Sequence, residues 1–172
     1  MVDPDILVGE RHDSRRPHPA YWLVAIPGLL IVGWLVSLWP FAIHDHIDLL
    51  DDPAVGNTAD RACATLSTAL SATEGLSRPE RITAGNAAIE ELVNAMNALG
   101  HCVLAGDEPS AAWIADWRRL QEARSDVAVA LPAAPQTQLV MPLTPDGYPI
   151  TRRMIHASGP SCETAITLAA AP

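Results

Sequence analysis

Lysine is absent from this 172-residue chain, and aromatic residues are scarce. All eleven basic residues are arginine, and Phe41 is the only phenylalanine. The absence of lysine, together with a high alanine and proline content, is typical of a high-GC bacterial gene. Because so few aromatic residues lie beyond the first fifty positions, a core there must be built from aliphatic side chains together with Trp113 and Trp117.

The chain also lacks the common sequence signatures of enzymes. It has no glycine-rich phosphate loop, no nucleophile elbow, no haem-attachment motif and no H-E-x-x-H zinc motif. His101 beside Cys102 is a candidate nucleophilic pair, but adjacency along the chain does not provide the required geometry. We therefore predict no cofactor and favour a non-catalytic role. An enzyme remains an alternative because acid/base pairs can assemble from distant residues.

The larger, C-terminal part of the chain also has fewer basic than acidic residues. From His44 onward there are sixteen acidic residues and eight arginines. A surface with this excess of negative charge repels nucleic acid and anionic lipid headgroups. Nucleic acid is therefore excluded from the predicted partners.

One long uncharged segment, residues 20–43, has the features of a transmembrane helix. Its 24 residues would span roughly 36 Å as a helix, which exceeds the ~30 Å hydrocarbon core of a bilayer. Tyr21 and Trp22 lie at one end and Trp39 and Phe41 at the other, where aromatic residues meet the headgroup layers. The lipid bilayer is thus the first predicted partner.

The distribution of arginine predicts the orientation of this helix. Arg11, Arg15 and Arg16 precede it, and no basic residue follows until Arg61. By the positive-inside rule, residues 1–19 form a cytoplasmic tail and the rest of the chain lies outside the cytoplasm. The apolar region is too long for a cleaved signal peptide and continues into bulky residues. It is therefore predicted to be an uncleaved signal anchor.

Beyond the anchor, the pattern predicts an acidic linker at residues 44–56 and a small three-helix domain at residues 57–126. Ser77 and Glu80 have the spacing of a capping box and begin the second helix, which ends at Gly100. Gly85 interrupts the apolar stripe of that helix and would allow a close approach of another helix. Asp107 is expected to cap the third helix, which should end near residue 126.

Residues 127–172 contain repeated prolines and are predicted to form an extended tail that packs on the domain. The turn sequence Pro145-Asp146-Gly147 could fold this tail into a short irregular β-hairpin. The fold class expected is all-α, with one N-terminal transmembrane helix, a three-helix domain and a proline-rich tail.

Three groups of residues are candidates for binding. His44, His46 and Asp48 are the only candidate metal ligands, although a solvated acidic stalk explains them as well and structural zinc sites use four ligands. Trp113 and Trp117 could form an aromatic platform, or they could fill the core. The arginine pairs 118–119 and 152–153 could contact an anion or a partner, or they could pair with acidic side chains.

The three cysteines lie on the side of the membrane where disulfides form. If the first two helices form an antiparallel hairpin, Cys102 lies roughly 16 Å further along than the position opposite Cys63. Since a disulfide requires Cα atoms within about 7 Å, Cys63 with Cys102 is the least favoured pair. We predict Cys63 with Cys162, because Cys63 faces the side that the tail must cover. Cys102 with Cys162, or three free thiols, remain as alternatives.

These features together predict a membrane-anchored accessory or scaffold protein of the bacterial envelope. Its expected partner is another membrane or envelope protein. The alternative from a different functional class is a sensor domain that binds a small ligand or a metal.

Overall fold

The computed structural model describes residues 32–34 and 49–172. The chain divides into two units, residues 1–44 and 45–172, and most described residues belong to the second. Apart from residues 32–34, which are helical, the predicted membrane segment at 20–43 lies outside the described residues. None of the helices described is both long enough and apolar enough to cross a membrane.

The described part of the second unit is a bundle of six helices and contains no β-sheet. The helices, numbered in chain order, are α1 Pro53–Ser71, α2 Arg78–Asn97, α3 His101–Gly106, α4 Glu108–Ala130, α5 Ile150–Ala157 and α6 Pro160–Ala169. The all-α prediction is confirmed in this respect. The prediction of three helices is wrong, because α3, α5 and α6 were all assigned to irregular structure.

Local sequence accounts well for α2. The Glu80 carboxylate accepts hydrogen bonds from the backbone N–H and the hydroxyl of Ser77, which confirms the predicted capping box. These two bonds lower the pKa of Glu80, the side-chain bond being the larger cause. The apolar stripe that the sequence predicts for α2 is buried at Ile82, Ile89, Leu92, Val93 and Met96. Its last member, Leu99, follows the helix and is partly buried.

The helix α4 begins where it was predicted but continues to Ala130, four residues beyond the expected end. Val127 packs with Ile82 and Leu131 in a small second apolar cluster, and no proline interrupts the chain before Pro132. Asp107 occupies the N-cap position, but its carboxylate accepts from the backbone N–H of Asp52 instead of capping the helix. This bond joins the start of α1 to the start of α4.

The tail is only partly extended. Pro149 is the N-cap of α5 and Pro160 lies in the first turn of α6, where the missing N–H of proline costs no helical hydrogen bond. Pro149 and Pro160 therefore lie at helix starts, where the sequence pattern predicts extended structure. The predicted hairpin is reduced to one antiparallel bridge between Leu143 and Pro149.

The predicted linker at 44–56 also ends earlier than expected. Asp52 caps α1, which begins at Pro53, through hydrogen bonds from the N–H groups of Ala54 and Val55. Leu50 donates its N–H to the carbonyl of Ala157 at 2.9 Å. The folded domain therefore includes the last residues of the predicted linker.

Side chains of α1, α2, α4, α5 and α6 share one apolar core. The helix α1 packs against both α2 and α6, while α4 packs against α2 and α5. Cys63 on α1 and Cys162 on α6 form a disulfide with their Cα atoms 4.9 Å apart, as predicted. The last helix is thus joined covalently to the first.

Candidate interaction surface

The two tryptophans of α4 lie in the core. Trp113 and Trp117 are both buried and meet edge to face, with ring centroids 5.7 Å apart. The indole N–H of Trp113 donates to the carbonyl of Met154, which fixes α5 against α4. Neither ring is available at the domain surface, so the aromatic-platform alternative does not hold for this pair.

The arginines of α5 have separate environments. Arg153 makes two hydrogen bonds to the buried carboxylate of Asp116, at 2.9 and 2.8 Å. Arg152 is exposed, and its guanidinium lies 4.9 Å from the centre of the Tyr148 ring. Arg153 therefore holds α5 on α4, while Arg152 remains at the surface beside an aromatic ring.

The remaining candidates from the sequence are the three predicted metal ligands and Cys102. His44, His46 and Asp48 lie outside the described residues. Within residues 32–34 and 49–172, no group of three or more His, Cys, Asp or Glu side chains is arranged to hold a metal ion. Cys102 is a free, exposed cysteine on α3.

One surface segment that was not among the candidate sites has backbone groups without hydrogen-bond partners in the domain. Residues 138–141 lie between α4 and α5, and within the described chain their N–H and C=O groups make no hydrogen bond. Their exposure alternates: Leu139 and Met141 are partly buried against the core, while Val140 is 83% exposed. This alternation is typical of a single β-strand lying on the bundle without a neighbouring strand.

The segment is held firmly at its C-terminal end. The carbonyl of Pro142 accepts from the N–H of Ile150 at 3.0 Å, and the carbonyl of Leu143 accepts from the guanidinium of Arg119 at 2.6 Å. The N–H of Thr144 donates to the carbonyl of Tyr148 at 2.7 Å. Residues 138–141, which make no backbone hydrogen bond, are therefore followed by a fixed turn.

Apolar and basic side chains surround this strand. Leu143 and Tyr148 are each 51% exposed. Together with Val140, they are three large apolar side chains that one loop exposes to solvent. The nearby charged side chains include Arg152, which is exposed beside Tyr148, and the exposed Asp146 of the turn. Arg119 is half-buried, is bonded to the loop and forms an ion pair with Asp116. We call residues 138–143 with Tyr148 and Arg152 the strand surface.

The strand surface could be found only in part from the sequence. The turn signal Pro145-Asp146-Gly147 predicts residues 138–143 only as one arm of an irregular hairpin. The second arm of the hairpin does not form, because the helix α5 begins directly after Pro149. The sequence pattern does not show where this helix begins. No protein-family model, no curated protein and no solved structure matches this chain.

Proposed function

We propose that this protein is a membrane-anchored, non-catalytic accessory protein of the bacterial envelope. Its outer domain binds an extended segment of another envelope protein by adding it as a strand beside residues 138–141. The observation that carries this proposal is the row of unpaired backbone groups in that segment. An exposed strand edge gains main-chain hydrogen bonds when an extended peptide pairs with it.

The chemistry of the strand surface defines the partner further. Val140 and Leu143 offer apolar contacts, so the partner strand carries apolar side chains on the facing positions. Arg152 places an exposed positive charge beside Tyr148, which favours a carboxylate near the paired segment. An acidic residue beside an extended apolar stretch is the expected recognition element.

Anchoring is supported by the sequence of residues 20–43 and by the arginines before them. Cys102 provides a direct test, because it is the free and exposed cysteine of the described domain. In intact cells a membrane-impermeant maleimide should label the wild type and should not label Cys102→Ser. The double variant Cys102→Ser/Ser14→Cys, which carries its thiol in the N-terminal tail, should react only after the membrane is permeabilised. The reverse pattern would contradict the proposed orientation.

Partner binding is tested at two exposed valines. A photo-crosslinking amino acid replaces Val140, which is 83% exposed, and in a control replaces Val129, which is 81% exposed on α4. We expect a discrete adduct with a second protein from position 140 and none from position 129. Equal adducts from both positions, or an adduct with the mass of two copies of this chain, would refute the proposal.

A proline substitution separates strand pairing from simple apolar contact. Val140→Pro removes one backbone donor that makes no bond within the domain, so the free energy of unfolding should change little. Recovery of the co-purified partner should fall by about tenfold, because a hydrogen bond and the valine contact are lost together. Val140→Thr, which keeps the donor and the β-branched shape, should retain most of the binding.

A further inference from the structure

A buried arginine in the middle of α4 has no acidic partner. Arg124 is 1% exposed. Its Nε donates to the Asn86 side-chain oxygen at 2.8 Å, and its Nη1 donates to the carbonyl of Ala169. Its Nη2 makes no hydrogen bond to any residue that the structure describes.

The charge of Arg124 is therefore offset by neutral groups. Among the described residues, no salt bridge reaches Arg124. The Ala169 carbonyl belongs to the last turn of α6, where the helix dipole is negative and attracts a cation. Burial lowers the pKa of Arg124 to about 10, so the guanidinium is still charged at neutral pH. A buried charge is normally paired with an opposite one.

Arg124 lines a cavity of about 290 Å³. The apolar part of the wall is formed by Leu70, Leu168 and Ala171. The other charged side chains of the lining are those of Arg81 and Glu74. The side chain of Arg81 makes no hydrogen bond or ion pair with the described residues. The lining thus includes two guanidinium groups with unused donors, the carboxylate of Glu74 and the backbone of Pro172, whose oxygen accepts from Nε of Arg78.

We propose that this cavity binds a small aliphatic carboxylate. The carboxylate head accepts hydrogen bonds from Arg124 Nη2 and from Arg81, and the aliphatic part lies against Leu70 and Leu168. A carboxylate presents two acceptor oxygens to the two guanidinium groups, and its aliphatic chain covers the apolar wall, which inorganic phosphate would leave uncovered. This site is independent of the strand surface, since the two share no residue.

The test is a titration of the full chain in mild detergent with sodium butyrate, at ionic strength held constant with sodium chloride. Two quantities are followed: the melting temperature and the NMR resonance of the Arg124 Nε–H group. We expect both to shift saturably in the wild type. In Arg81→Gln, half-saturation should require about tenfold more butyrate, since one charged donor is lost. Arg61→Gln, an exposed arginine of α1 outside the cavity lining, is the matched control and should behave as the wild type.

Three results would overturn the site. The first is the absence of a saturable shift in the wild type. The second is an Arg81→Gln variant with the wild-type half-saturation. The third is saturation by inorganic phosphate at a lower concentration than by butyrate, which would show that the ligand class is wrong. None of these results bears on the crosslinking at Val140, so the two proposals fail separately.

Discussion

Reduction of the disulfide between Cys63 and Cys162 should lower the free energy of unfolding by about 4 kcal/mol. The bond joins residues separated by 99 positions, and in the chain-entropy model a loop near this length restricts the unfolded chain by about that amount. The total stability of a domain of this size is only about 5–15 kcal/mol, so the effect is large. The measurement is a urea titration of the full chain in mild detergent, with and without reductant, followed by circular dichroism.

The comparison is made in a Cys102→Ser background, because the free thiol of Cys102 could exchange with the disulfide during the titration. Peptide mapping without reductant should find one linked pair, Cys63 with Cys162. A linked peptide containing Cys102, or unfolding midpoints that coincide with and without reductant, would contradict the structural role assigned to this bond.

Gly85→Ala should destabilise the protein by about 2 kcal/mol, although alanine is the better helix former. A Cβ at this position would overlap with Nη2 of Arg124 and would lie 2.9 Å from Cδ2 of Leu70. The guanidinium cannot move aside without losing its bonds to Asn86 and Ala169, and bonds of a charged group are worth about 1.5–3 kcal/mol each. Overpacking adds about 1–3 kcal/mol, which outweighs the ~1 kcal/mol gained in helix propensity.

Gly56→Ala is the matched control for this substitution. Gly56 lies in α1, and a Cβ there would meet only the carbonyl oxygen of Leu50, at the ordinary distance of 3.4 Å. The control should leave the free energy of unfolding unchanged or raise it slightly. If Gly85→Ala were as stable as Gly56→Ala, then the close approach of α2 to Arg124 would not constrain the fold.

Gly85 also shows how far reasoning from the sequence extends. The gap in the apolar stripe of α2 indicated that something approaches the helix closely. That this neighbour is the buried guanidinium of Arg124 could not be predicted, because an arginine in a helix is exposed in most proteins. The cavity beside Arg124 was missed for the same reason. Its lining combines α1, α2, α4 and the residues around α6, which are distant along the chain.

The tail shows the opposite error. Repeated prolines indicated extended structure over residues 127–172, yet Pro149 and Pro160 begin α5 and α6. Proline excludes a helix interior but is favoured in a first turn, so local sequence alone does not distinguish a break from a start. The burial of Ile150, Met154 and Ile166 in the common core favours the helical outcome.

The sequence by itself determined the features that depend on neighbours within one or two helical turns. These are the Ser77–Glu80 cap, the buried face of α2 and the start of α4. It also favoured Cys162 as the partner of Cys63, because the reach of a disulfide limits the pairs that a helical hairpin permits. Only the tertiary structure decided which polar groups are buried or left without partners. The burial of Arg124 and the unpaired backbone groups of residues 138–141 depend on contacts between distant segments, and short-range periodicity carries no information about such contacts.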